Sequence, residues 1–223
     1  MSKKLFFSAI SKFFLGVIFI GLMIFLPAGS LSFRNGWLLM AILFIPMFFA
    51  GIVMMAKNPM LLQSRLDAKE KQKEQNRVVK LSGLMFLLGF VLAGLDHRFG
   101  WSLLPKQVSI LAAAVFLLAY ALYGEVLREN TYLSRTIQVQ AHQTVIDTGL
   151  YGIVRHPMYS ATVLLFLSMP LVLGSVYAFL IFLAYPFIIA SRIKHEEAFL
   201  EQELEGYRAY KKTVKYRLIP FIW

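Results

Sequence analysis

The chain of 223 residues is 58% apolar and 15% aromatic, with only 16% charged residues, against about 25% in soluble domains. Its mean hydropathy is +0.64 and its formal charge +11. That excludes a water-soluble globule and leaves oriented membrane insertion, an anionic membrane surface or nucleic acid to explain the cations. Cysteine is absent, which excludes disulfides, thiolate metal sites and cysteine nucleophiles.

A charged side chain costs about 2.5–3.5 kcal/mol at the bilayer centre on insertion scales, so uncharged runs mark membrane spans. Phe13 to Phe33, Asn35 to Ala56, Leu81 to Leu95 and Gln107 to Gly124 are such runs and predict four spans. The first also reads as a cleavable signal peptide, with Lys3 and Lys4 ahead of it and Ala28-Gly29-Ser30 behind it. Its length supports a retained span. Between the second and third runs, Asn58-Pro59 predicts a helix start. Lys69 to Glu74 reads as a solvated mixed-charge helix face. The short loop after the third run carries Asp96-His97-Arg98 beside Trp101, an interfacial anchor with a local ion pair.

After the fourth run, Glu125, Arg128 and Glu129 have ion-pair spacing on a helix. Thr136 to Gln140 alternates like a strand, and Asp147-Thr148-Gly149 has the composition of a turn. The longest uncharged run, His156 to Ser191, has 36 residues. One helix of that length would be about 54 Å long against a hydrocarbon core of about 30 Å. It must fold back, with Gly174-Ser175 as the corner. The expected fold class is therefore an all-α integral membrane protein of about six transmembrane helices. It is one domain, with four spans over 1–127 and a region 128–223 holding the hairpin 156–191 and a cytoplasmic tail.

Of the 23 lysines and arginines, 20 fall before span 1, between spans 2 and 3, between spans 4 and 5, and after span 6. By the positive-inside rule those segments and both termini are cytoplasmic. The charge then records orientation rather than nucleic-acid affinity. A hairpin returns both feet to one membrane face, so Arg155, His156 and Tyr159 should lie beside Arg192 and Glu196. Pro157 suits a first helical turn, whose N–H groups make an anion-friendly place. No histidine–carboxylate spacing suggests a metal, and no glycine-rich phosphate loop or serine nucleophile elbow exists. A transporter would carry ionisable groups deep within its spans; here they gather at the span ends.

At these residues the sequence resembles the isoprenylcysteine carboxyl methyltransferase family and the related phospholipid methyltransferases. One block is Gly149 to Tyr159, containing Arg155-His156-Pro157. The other runs from Arg192 through Glu196-Glu197 to Gly206-Tyr207, Tyr210 and Leu218-Ile219-Pro220, and the two keep the family's order around the hairpin. The resemblance implies S-adenosylmethionine as methyl donor in a cytoplasmic pocket. It implies cofactor contacts from Gln143, Thr144, Val145 and Ile146, from Tyr151 and Arg155, from His156, Pro157, Met158 and Tyr159, and from Glu196 and Glu197. An upstream glutamine would be Gln138 or Gln140. Arg192 would face the acceptor, and Arg192 and Glu196 carry the catalytic assignment. Members acting on prenylated cysteine often have histidine where Gln143 stands, with His142 one place earlier here, and Ser160-Ala161 replaces a common glycine. The implied acceptor is a lipophilic or lipidated molecule taken from the membrane lipids. It is a carboxylate or, as the alternative, a phospholipid amine. A non-enzymatic transporter or scaffold is the rival from another class, and no metal or nucleic acid is expected.

Overall fold

The computed structural model describes residues 3–66, 73–102, 104–133, 139–140 and 142–223, with 73–75 as backbone only. The described residues are helical, without strands: α1 Lys3–Ala28, α2 Arg34–Lys57, α3 Pro59–Leu66, α4 Lys73–Phe99, α5 Lys106–Glu129, α6 Pro157–Leu173, α7 Val176–Phe182, α8 Ala184–Glu203 and α9 Tyr207–Thr213. A 3₁₀ turn covers Gly149–Gly152. Val139 and Gln140 are irregular, and 136–138, the rest of the stretch expected to be strand-like, lie outside the described residues. So does most of the expected mixed-charge face at 69–74.

Five helical segments are long and apolar enough to cross a membrane, the last being α7 and α8 together over Val176–Glu203. The sixth expected span, α6, is 17 residues, about 26 Å at 1.5 Å per residue and slightly short of a hydrocarbon core. In α1 and α2 only 17% of the apolar window is buried against protein. Phe14, Phe19, Leu26 and Leu118 point outward. Exposure of this kind fits a lipid surrounding. In lipid, apolar contact between helices has no aqueous driving force, and close fit and hydrogen bonds hold the bundle instead. Helices α1 and α4 cross at Gly94, where an added Cβ would stand 2.5 Å from the Ile24 carbonyl oxygen. Phe86, Phe90, Phe166, Phe182 and Tyr185 interlock in edge and tilted ring contacts between α4, α6, α7 and α8.

The hairpin turns where expected. Gly174 takes a left-handed φ of 80° at the end of α6, and the Ser175 hydroxyl caps α7 by accepting from Ala178 N. The return helix breaks at Leu183. Pro186 explains this, since its ring lacks an N–H and conflicts with the carbonyl four residues earlier, at Phe182. The ion pair expected at Asp96-His97-Arg98 is corrected. Among the described residues Asp96 is buried and accepts from Ser102 N (2.6 Å), Ser102 Oγ (2.6 Å) and Ser175 Oγ (2.5 Å). Its carboxylate thereby ties the α4 end to the hairpin corner, and His97 stacks on Phe33 at 3.9 Å.

Candidate active site

The feet of the hairpin lie at the opposite end of the bundle from Asp96. Pro157 opens α6 as a first-turn proline. The backbone before it is satisfied by the tail: Arg155 N donates to Tyr216 O and His156 N to Arg217 O, both at 2.9 Å. Ser160 Oγ adds a bond to Leu218 O at 2.6 Å. The tail loops back on itself, with Arg217 N and Leu218 N both donating to Trp223 O at 2.9 Å.

Glu197 on α8 is the electrostatic centre of this end. It is 2% exposed and accepts from Arg155 Nε (2.7 Å), His156 Nε2 (3.2 Å) and Arg217 Nε (3.0 Å), with Lys211 Nζ at 3.7 Å. Arg155 Nη1 also donates to Val214 O (2.6 Å) and Lys215 O (2.8 Å). A buried charge is tolerated only when paired and hydrogen-bonded, and this cluster achieves that by joining α6, α8 and the tail. Arg155 works as a clamp on the tail, and the carboxylate of Glu197 is taken up by cations.

Beside the cluster opens a cavity of about 100 Å³. Gln143, Thr144, Val145, Ile146, Tyr151, Arg155, His156, Met158, Tyr159, Arg192 and Glu196 line it, so most residues singled out from sequence meet there. Pro157 and Glu197 are not in its lining, and Gln138 lies outside the described residues. Gln140 stands behind it: Gln140 N donates to Gln143 Oε1 (2.9 Å) and Gln140 Nε2 to Tyr132 O (2.7 Å). Across the cavity wall, the Tyr159 hydroxyl stands between the two groups assigned to catalysis. It accepts from Arg192 Nε (2.8 Å) and donates to Glu196 Oε2 (2.5 Å).

The approach to the cavity is shaped by Gly149. Its φ is +51°, and an added Cβ would overlap the Glu129 carboxylate, which accepts from Leu150 N at 3.0 Å. That contact anchors the 3₁₀ turn to the end of α5 and sets Tyr151. The Tyr151 hydroxyl then accepts from Asn130 Nδ2 at 3.0 Å, and its carbonyl accepts from Tyr210 Oη at 2.7 Å.

Sequence reasoning did not assign site roles to Asn130, Tyr132, Leu133, Leu200, Leu204, Tyr207 and Tyr210, which also line the cavity. The signal for the last two was the Gly206-Tyr207…Tyr210 block, which carried no geometry. Burial holds the Tyr151, Tyr207 and Tyr210 phenols above the usual tyrosine range, with Glu196 adding at Tyr151 and both Glu197 and Glu196 at Tyr207. They are neutral hydroxyls at physiological pH. Among the described residues the Tyr207 oxygen is buried without a hydrogen-bond partner, an unusual state for a buried polar group. Its residue borders the cavity, and a ligand reaches the oxygen only if the wall shifts.

No curated protein matches the chain. Residues 107–205 match the family model for phospholipid methyltransferases. That family shares a clan with the isoprenylcysteine carboxyl methyltransferases, so over the matched residues the chain is similar to both groups of methyltransferases.

Proposed function

We propose that the chain transfers a methyl group from S-adenosylmethionine to a lipophilic acceptor at the cytoplasmic face of the membrane, with a carboxylate as the acceptor group. The observation that carries this reading is the Glu196–Tyr159–Arg192 chain on the wall of a tyrosine-lined cavity holding an unpartnered Tyr207 hydroxyl. The 20 cations predicted on one side support placing this end and both termini in the cytoplasm. The site fits within a single domain, since α5 and the tail both build it.

The donor set suits S-adenosylmethionine, but the cavity, at about 100 Å³, is smaller than the roughly 300–1,000 Å³ of a ligand site and must widen to admit it. Tyrosine faces such as Tyr151 attract a sulfonium cation, Glu196 can accept from its ammonium or ribose hydroxyls, and Tyr207 offers a hydroxyl in need of a partner. When bound, the cofactor supplies an electrophilic methyl group on a sulfur that leaves as a neutral thioether, keeping the electron pair of the broken C–S bond. The protein's part is alignment at about 3–3.5 Å. Arg192 orients the acceptor, the Tyr159 hydroxyl fixes Arg192 relative to Glu196, and the Glu197 cluster holds the hairpin feet together.

A carboxylate acceptor is already ionised and needs no base. An amine acceptor, the alternative that the phospholipid methyltransferase match favours, must lose a proton. Of the groups that could take that proton, Glu197 is held by cations outside the cavity lining and His195 is turned to the Ser191 carbonyl at 2.8 Å, whereas Glu196 and His156 line the cavity. A carboxylate acceptor asks none of these groups to act as a base.

Calorimetric titration of detergent-purified protein with S-adenosylhomocysteine tests the proposal. Wild type should bind, and Glu196→Ala should weaken binding about 10- to 100-fold, the worth of a charge-assisted hydrogen bond. Absence of binding by folded wild type would overturn it. Label transfer to a prenylcysteine analogue should exceed transfer to phosphatidylethanolamine; the reverse order selects the amine reading. Tyr159→Phe should lower the transfer rate more than it weakens S-adenosylhomocysteine binding.

A further inference from the structure

The bundle holds a second, larger cavity of about 800 Å³ between α1, α2, α3, α5 and α6. Its size is ordinary for a ligand site, about 300–1,000 Å³. Its wall is apolar, with Phe13, Met47, Phe116 and Leu165 among its residues. Ile52 and Leu117 on its rim are 48% and 45% exposed, so it opens sideways between α2 and α5.

The charged side chains on this wall are Lys12 and Arg65, both cations. Lys12 Nζ donates to Leu66 O at 2.7 Å. Arg65 donates to the Tyr123 hydroxyl and lies 5.7 Å over that ring. Among the described residues neither cation has a carboxylate within ion-pair distance. Two cations with no anion beside a low-dielectric cavity are an electrostatic arrangement that an anionic ligand completes. Arg65 Nη1 is also 3.9 Å from Met158 Sδ, and Met158 lines the tyrosine pocket. A single arginine–methionine contact therefore connects the oily cavity with the candidate donor site. Both cations come from the half of the chain that precedes the family-matched residues 107–205.

We propose that Arg65 selects the acceptor by holding the carboxylate of a single-chain amphiphile whose apolar chain fills this cavity, bringing that carboxylate against the Met158 wall of the donor pocket. Calling the amphiphile an acceptor rests on the methyltransferase reading above. Cavity shape supplies the chain preference, and the guanidinium, with five donors in a planar fork, supplies the carboxylate preference.

Equilibrium binding of radiolabelled oleate, oleyl alcohol and oleylamine to the detergent-purified full chain tests this, with melting temperature as the folding control. Wild type should bind oleate at least about tenfold more tightly than the alcohol or the amine. Arg65→Gln should erase that preference while keeping alcohol binding, and Arg65→Lys should retain part of it. At Gly51, on the cavity wall, an added Cβ meets nothing within 4 Å. Gly51→Leu should therefore fold and weaken binding of all three chains. A wild type without oleate preference, or an Arg65→Gln protein that keeps it, overturns the proposal. Titrating wild type with S-adenosylhomocysteine separates this failure from the other. If S-adenosylhomocysteine binding is absent while oleate selectivity is intact, the transferase reading falls and Arg65's role as an acceptor selector falls with it.

Discussion

The two ends of this bundle each bury a carboxylate at 2% exposure, Asp96 at one and Glu197 at the other, and solve the problem in opposite ways. Asp96 is surrounded by a backbone N–H and serine hydroxyls, neutral donors that stitch the α4 end to the hairpin corner. Glu197 is surrounded by Arg155, His156, Arg217 and Lys211. The neutral-donor end closes a structure. The cationic end sits against the tyrosine pocket, and it ties three separate chain segments together so that a ligand can meet residues far apart in sequence. Buried charge at the Asp96 end is a staple, whereas at the Glu197 end it is the frame of a site.

The largest expected effect follows from removing the centre of that frame. Glu197→Ala leaves Arg155 buried without its anion, a change that costs about 3–5 kcal/mol. It should lower the melting temperature strongly and abolish S-adenosylhomocysteine binding, because the tail and the hairpin feet separate. Asp96→Ala should cost less, about 1–3 kcal/mol for buried hydroxyl and amide donors left without an acceptor. S-adenosylhomocysteine binding at the far end should survive it. The comparison breaks if Asp96→Ala abolishes binding or if Glu197→Ala preserves it.

A subtler variant acts on the framing end alone. Gly149→Ala places a side chain at φ +51° against the Glu129 carboxylate, with about 1–2 kcal/mol of backbone strain. Stability should fall by that amount or somewhat more, measured by thermal unfolding in detergent. S-adenosylhomocysteine binding should weaken because Tyr151 shifts with the turn. Unchanged binding would mean that the position of Tyr151 does not matter to the ligand.

The staple and the frame were unequally legible in the sequence. Spans and the Gly174-Ser175 corner could be read because membrane insertion depends on local composition, and a 36-residue uncharged run cannot cross once. The convergence of Tyr159, Arg192 and Glu196 could be read because a hairpin must return its feet to one face. The partners of Asp96 could not, since Ser102 and Ser175 reach it only after α4 and α7 have packed. Spacing suggested its neighbour Arg98 instead. The break at Leu183 was a local signal, Pro186, hidden within a uniformly oily run. Arg155 looked like an anion site because its backbone neighbourhood suits one; only the folded tail, with the carbonyls of Val214 and Lys215, shows its donors engaged. Arg65 follows the helix start read at Asn58-Pro59, and nothing local indicates that it borders a cavity built from five helices.

The smallest expected effect bears most directly on the difference between staple and frame. A staple should have every polar group satisfied in the protein alone, as the Asp96 carboxylate is. A ligand site should contain at least one group that is satisfied only when occupied, and Tyr207, whose buried oxygen has no partner among the described residues, can be tested as that group. Tyr207→Phe removes the desolvated hydroxyl and keeps the ring packed against Tyr210. The ligand-free protein should therefore gain about 1 kcal/mol, the lower range for an unpaired buried hydroxyl. The melting-temperature increase caused by S-adenosylhomocysteine should shrink in the same variant, because the ligand loses a hydrogen-bond partner. Opposite signs for the two changes identify a hydroxyl kept for a ligand. A loss of stability without ligand would instead mean that Tyr207 belongs to the frame, leaving Glu196 and Tyr151 to hold the ligand's polar groups.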